Sequence, residues 1–310
     1  MENILTITNL TKEYEKVVAL DSISLSIKKG SVFGLLGPNG AGKTSLIRIL
    51  TGITVPDKGD FKLENVEGKD FDSLSKMIGY LPEERGLYKD MKIYDQLEFL
   101  GRIKGLSKKE VKEKIKVYGE KMEISEWFDK KAQELSKGMQ QLVQFTSTIF
   151  FEPSLIILDE PFTGLDPINS VKLQNVITEL KEQGKTVIFS THRMEQVEEF
   201  CDDIALINKG KIILEGNIKD IKHRFKKNKF KVTGNWMQNS DADNFKVGDI
   251  VDEFEIHEIN TDNIIVKNIS KETSPNHLLK RLMKYIEVRA FVEILPSLSE
   301  IFIEQVNNNV

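Results

Sequence analysis

The chain has 310 residues, with 44 Lys and Arg against 48 Asp and Glu, a net charge of −4. That balance lacks the basic surplus of a protein gripping nucleic acid along its length, and no run of about 18 apolar residues is present to cross a bilayer. The length allows two compact domains without covalent staples, and a lone cysteine, Cys201 in an apparent helical stretch, excludes an internal disulfide and fits a reducing compartment.

Taken in order, Met1 to Thr8 shows no basic stretch ahead of an apolar core, so an unexported chain without a leader is expected. Ile4 to Leu10 and Ser22 to Ile27 alternate as half-buried strands do, and Val32 to Leu36 is a continuous apolar run. An antiparallel flap feeding a central strand follows from this. From 92 to 150 the spacing is helical, over Lys92 to Lys104, Lys108 to Lys121 and Gly138 to Phe151, so a helical lobe is inserted there. Short apolar runs return at Leu155 to Leu158, Thr186 to Ser190 and Ile204 to Ile207, separated by helical stretches at Pro167 to Gln183 and Met194 to Asp202. Strands alternating with helices predict a parallel sheet covered on both faces.

Lys222 to Lys231 is densely basic and reads as a linker and domain boundary, either simply solvated or facing an anionic partner. Beyond it, strand-like Ile250 to Ile256 and Asn263 to Val266, a helix from Pro275 to Tyr285, a strand at Glu287 to Ile294 and a helix from Leu298 to Val306 predict a small α+β domain. A ferredoxin-like arrangement is one form open to it.

The chemistry begins at Gly37-Pro38-Asn39-Gly40-Ala41-Gly42-Lys43-Thr44, which fits the phosphate-binding loop and lies between an apolar strand and an amphipathic helix, as that loop requires. Small residues let backbone N–H groups turn toward phosphate, and the following helix adds the positive end of its dipole. Lys43 brings a point charge for the outer phosphates and Thr44 a hydroxyl for Mg²⁺, so Gly37 through Ser45 are the expected nucleotide-binding residues. Asp159 and Glu160 end the strand at Leu155 to Leu158, which puts them at the carboxyl edge of the sheet where ligands bind in such folds.

The loop, then Leu135-Ser136-Lys137-Gly138-Met139, then Leu155-Ile156-Ile157-Leu158-Asp159-Glu160, then His192, resemble in order and spacing the ATP-binding subunit of an ABC transporter over roughly residues 1 to 220. The stretch Pro82-Glu83-Glu84-Arg85-Gly86-Leu87-Tyr88, with Ser-Lys-Gly-Met-Gln-Gln and the closing Leu295 to Phe302, is similar to a bacterial subgroup resembling sodium-export-type ATPases that serve ABC-2-type membrane partners.

The resemblance implies a fold class of α/β: a P-loop NTPase with a RecA-like parallel sheet, an antiparallel β flap, the helical lobe at about 92–150 and the small C-terminal α+β domain. Domain limits are expected at 1–225 and 230–310. It implies that Asp159 helps hold Mg²⁺ and Glu160 polarises the attacking water as general base, against the plainer reading of acids that merely end a strand. It implies that His192 senses the γ-phosphate, and that Tyr14 stacks on adenine unless it is simply an exposed ring on an edge strand. Ser136, Lys137, Gly138 and Met139 stand for the family's Ser-Gly-Gly-Gln loop, which meets the ATP of the other subunit; Lys137 either adds charge there or points into water. Thr163-Gly164-Leu165-Asp166 matches the loop linking the two sites, and Asp166 before Pro167 is also a natural helix cap. Glu83 replaces the usual Gln at the hinge to the lobe, where a carboxylate can ligate Mg²⁺.

The function implied is ATP hydrolysis by a head-to-tail dimer, expected to pair identical chains around ATP and Mg²⁺ and to drive export through a separate ABC-2-type membrane permease. The chain would then be cytoplasmic, peripheral on the inner face of the membrane through that partner. The alternative is a soluble ATPase of the same type acting on ribosomes or DNA. The acidic balance and the single ATP-binding half argue against it, and no nucleic acid is expected.

Overall fold

The computed structural model describes residues 2–84, 86–237, 246–251, 254–260, 262–269 and 274–308; Met1, Arg85, Asp252 and Glu253, which fall in the segments read from the sequence, lie outside them. The chain divides into two units, Met1–Ile218 and Lys219–Val310.

In the first unit, β1 (Asn3–Tyr14) and β2 (Val17–Lys28) form a long hairpin. Their alternation buries Ile7, Leu10, Leu20, Ile23 and Leu25 against the main sheet. After β3 (Val32–Leu36) and the phosphate loop come α1 (Lys43–Leu50), β4 (Lys58–Leu63), β5 (Val66–Glu67), α2 (Phe71–Met77) and β6 (Ile78–Leu81). The flap is antiparallel, of order β2-β1-β4-β5, so β1 is interior to it. Strands β4 and β5 are absent from the sequence reading because only Phe61 and Leu63 of β4 turn inward, too few to set a period.

The helical lobe holds α3 (Ile93–Ile103), α4 (Lys108–Lys121) and α5 (Lys137–Ile149). Helix α4 opens on a reciprocal cap, Ser107 Oγ accepting from Glu110 N at 3.3 Å and Glu110 Oε2 from Ser107 N at 2.8 Å. Then follow β7 (Leu155–Asp159), α6 (Pro167–Glu182), β8 (Thr186–Thr191), α7 (Met194–Phe200), β9 (Asp203–Asn208) and β10 (Lys211–Asn217). The main sheet runs β10-β9-β3-β8-β7-β6, parallel except for β10, and β3, β7, β8 and β9 are buried almost throughout, as expected when both faces are covered. Helix α7 stops at Phe200, so Cys201 lies beyond it in extended backbone; its enclosed thiol sits beside Gly34, and burial pushes its pKa well above the ordinary value.

The second unit takes in α8 (Ile218–Arg224), whose first residue closes the first unit, then β11 (Lys229–Trp236), β12 (Ile250–Val251), β13 (Phe254–Ile259), β14 (Asn263–Asn268), α9 (Pro275–Leu282), β15 (Ile286–Ile294) and α10 (Leu298–Asn308). The basic run is therefore not a linker. Lys222 and Arg224 close α8, while Lys229 and Lys231 alternate along β11 with buried Phe230 and Val232. Lys226 reaches Glu293 at 3.4 Å and Lys227 reaches Glu304 at 3.2 Å, so part of the charge is spent within the unit.

The sheet is antiparallel, of order β12-β13-β14-β11-β15, over a core that includes Phe230, Phe254, Val266 and Leu282. The order β13-β14-β11-β15, with α9 crossing between β14 and β15, is that of a ferredoxin-like unit. Among the described residues the first crossover, from β11 to β13, carries β12 in place of a helix, and the single strand read at Ile250 to Ile256 is a pair, β12 and the start of β13.

Candidate functional site

Strand register brings the chemistry together. Leu36 pairs with Thr191, Asp159 with Ser190 and Leu81 with Leu158, so the phosphate loop, His192, Glu160 and Glu83 leave the sheet at one edge. A cleft of about 350 Å³ opens there, lined by Val17, Ala19, residues 39–45 of the phosphate loop, Glu83, Asp159, Glu160 and His192.

At its floor Gly42 is the N-cap of α1, with φ 118°, a left-handed backbone; a Cβ there would stand 2.4 Å from the Ala19 carbonyl oxygen. Glycine has no side chain to cap the helix, which leaves the first-turn amides to an anion. Gly37 and Pro38 do not line the cleft. Their carbonyls instead accept from Lys43 Nζ, at 2.6 and 3.2 Å, so the lysine is folded onto its own loop.

Asp159 is 5% exposed, and Glu160 follows it with φ 49°, a conformation costly for a residue with a Cβ, of order 1–3 kcal/mol. That turn aims the Glu160 carboxylate across to β8. Its Oε2 accepts from Thr191 Oγ1 at 3.1 Å, and its Oε1 from His192 N at 3.0 Å, with His192 Nδ1 at 2.6 Å. An ionised Glu160 has no proton to give, so Nδ1 is the donor.

Burial holds the Asp159 carboxyl above 3.8, and the neighbouring charges of Glu83 and Glu160 push the same way against Lys43. Burial lowers Lys43 from its ordinary value, opposed by Asp159, Glu160 and Glu83. Three carboxylates facing one ammonium leave an uncompensated negative charge. Together with the Thr44 hydroxyl they bring to the cleft oxygen donors of the kind a hard divalent cation takes, and in that chemistry the residues present fit Mg²⁺, although among the described residues no three acids are gathered into a closed metal-binding group.

Tyr14 lies outside this cleft, at the end of β1 opposite Val17, with Lys12 Nζ 5.3 Å from its ring centre. It lines an adjoining hollow of about 600 Å³ with Arg48, Tyr80 and Pro82, which shares Thr44, Glu83 and Asp159 with the cleft. Val17, Ala19 and Arg48 escaped the sequence reading. Arg48 is one helical turn from Thr44 and was within reach of periodicity; Val17 and Ala19 reach the cleft only because the flap folds over it.

Ser136, Lys137, Gly138 and Met139 also lie away from the cleft. Ser136 caps α5, its Oγ accepting from Met139 N at 3.2 Å, which leaves the hydroxyl proton free to donate. Lys137 is exposed. A Cβ on Gly138 would approach the Gly164 carbonyl oxygen to 3.2 Å, so glycine lets this helix end lie close on the Thr163 to Asp166 loop. Asp166 does cap α6, accepting from Asn169 N at 2.9 Å, and that bond keeps its carboxyl below the ordinary value.

Residues 20–163 match the model of the ABC transporter family, and residues 216–306 that of the ATP-binding protein DrrA1-3-like C-terminal domain. The chain is 43% identical to the uncharacterized ABC transporter ATP-binding protein YhaQ of Bacillus subtilis, over 72% of this chain and 74% of that one. It is 33% identical to ABC transporter ATP-binding protein NatA of the same organism, over 70% of this chain and 91% of that one. Among solved structures it is similar to the dimeric structure of MJ0796, a bacterial ABC transporter cassette, with a TM-score of 0.63 at 25% identity over 69% of this chain and 98% of that one.

Proposed function

The chain belongs to the ABC transporter family as an ATP-binding, ATP-hydrolysing subunit, and from that premise we propose that two identical chains close head to tail around two ATP and two Mg²⁺ to drive export through an ABC-2-type membrane permease. One observation carries the dimer: Ser136 and the start of α5 lie off the cleft that holds the phosphate loop, so a phosphate received at this helix end belongs, in this reading, to a nucleotide held by another chain. Among the described residues no helix is long and apolar enough to cross a membrane. In this reading the permease is a separate subunit, and it holds the chain at the cytoplasmic face.

Within each cleft the phosphate-loop amides and Lys43 hold the phosphates, Lys43 leaving the carbonyls of Gly37 and Pro38 to do so. Thr44, Asp159 and Glu83 hold the metal, which neutralises charge on the phosphates when bound. Glu160 takes a proton from the attacking water, and the bond from His192 Nδ1 keeps its carboxylate aimed at the cleft. No observation favours a ribosome- or DNA-directed ATPase, and the relatives matched are transporter subunits.

The test is Glu160→Gln. It should bind ATP, hydrolyse it about 10²- to 10⁴-fold more slowly, the usual contribution of a general base, and accumulate as a dimer in light scattering with ATP and Mg²⁺. A monomer with wild-type turnover would remove Glu160 from the reaction and the closed dimer with it.

A further inference from the structure

Helix α5 is tied to both acidic loops of its own cleft by two buried amides one turn apart. Gln141 Nε2 donates to the carbonyl of Pro161, the residue after Glu160, at 2.9 Å, and Gln144 Nε2 donates to the carbonyl of Glu84, the residue after Glu83, at 3.4 Å. Both glutamines are nearly inaccessible, at 3% and 4% exposure. Gln144 Oε1 is buried with no hydrogen-bond partner among the described residues, an unfavourable way to fill space on a helix that an apolar side chain would pack without penalty. The same helix begins at Ser136, and Gly138 lies close on the loop that follows Pro161.

We propose that Gln141 and Gln144 are positioning residues that transmit the state of a chain's own nucleotide to the Ser136 loop it presents to the other chain's ATP. A metal drawn in by Glu83 and Asp159, or a water drawn to Glu160 beside the bound phosphate, moves the carbonyls of Glu84 or Pro161. Because α5 is a continuous helix, a pull at Gln141 and Gln144 shifts its first turn as a body. Occupancy of one cleft is thereby felt at the other, which gives the two sites a coupling free energy. The coupling rests on the head-to-tail dimer proposed above; the amide contacts do not.

Gln140 supplies the control. It is on the same helix, but its Nε2 donates to Ala132 and Leu135 at 2.9 and 3.0 Å, inside the lobe and away from both acidic loops. In the full chain, Gln141→Met and Gln144→Met, singly and together, should leave ATP affinity and ATP-driven dimerisation of the Glu160→Gln background near wild type. The Hill coefficient for hydrolysis should fall to about one, and saturating turnover about tenfold, a coupling of ordinary size. Gln140→Met should change neither. A double variant with wild-type cooperativity and turnover, or equal losses in Gln140→Met, overturns the coupling while leaving the dimer in place. A wild-type chain that stays monomeric with ATP overturns the dimer and the coupling together. Should the variants not fold, amide exchange of the unmutated chain with ADP and Mg²⁺, at concentrations where it is monomeric, decides: altered exchange at Ser136 to Met139 is expected, and unchanged exchange sinks the proposal.

Discussion

Glu83 sets a carboxylate where the resembled ATPases carry an amide, and its surroundings make that charge consequential. It shares the cleft with Asp159, whose carboxyl is raised by burial first and then by Glu83 and Glu160. An acid raised in the folded chain holds its proton to higher pH. In the proposed metal site, metal and proton therefore compete for Asp159, and the competition sets in at a higher pH than for an ordinary aspartate. The Mg²⁺ concentration for half-maximal hydrolysis should rise as pH is lowered from neutral. Glu83→Gln should raise that concentration at neutral pH, having lost a ligand, yet soften its rise in acid, having lost one of the charges that hold up Asp159. Mg²⁺ titrations at two pH values read both effects, and superimposable curves for wild type and variant would place Glu83 outside the metal site. ATP affinity should change little.

Among the elements, α5 combines the most roles: it carries the Ser136 loop at its start, both buried amides on one side, and Phe145 in the interior of the lobe. Phe145 is fully buried, and the helix around it is inaccessible over most of Gln141 to Ile149. Truncating such a ring removes its transfer free energy and leaves a cavity that rigid helix neighbours fill only in part. Phe145→Ala should therefore lower stability by about 3–5 kcal/mol in urea denaturation. A loss below about 1 kcal/mol, in the range of ordinary surface substitutions, would mean that the lobe repacks and that α5 is too soft to transmit a displacement. The capped start of α4 behaves differently, since Ser107 and Glu110 act on each other at the surface and hold only a helix end.

For the whole molecule the question is what the second unit adds. It has its own core around Phe230, Phe254 and Val266, its own antiparallel sheet, and no second phosphate-binding loop. Two cores in one chain are the condition for independent folding. We propose that this unit regulates or docks and takes no part in hydrolysis. A truncated chain of residues 1–225 should fold and bind ATP with wild-type affinity in a nucleotide titration, and if it folds but fails to bind, the second unit contributes to the nucleotide site. Its own contribution would then be sought at the permease, by comparing stimulation of the full and truncated chains.

The sequence by itself determined the local chemistry. A phosphate loop needs small residues followed by Lys43 and Thr44, and buried parallel strands need unbroken apolar runs such as Leu155 to Leu158. Both requirements are met within a few neighbouring residues, so they were legible, as were the helices of the lobe and the carboxylate pair. Elements stabilised by distant partners were not. Strands β4, β6 and β11 are short or carry lysines on their outer faces, and only pairing across tens of residues makes them strands. Which edge-sharing residues meet was likewise decided in three dimensions: β8 lies between β3 and β7, and that order, invisible along the chain, sets Glu160 against His192 and leaves Tyr14 outside the cleft that Val17 and Ala19 line. The left-handed turn at Glu160 and the two amides of α5 belong to the same class, because a dihedral angle and a bond to a carbonyl sixty residues away depend on packing and leave no period in the sequence.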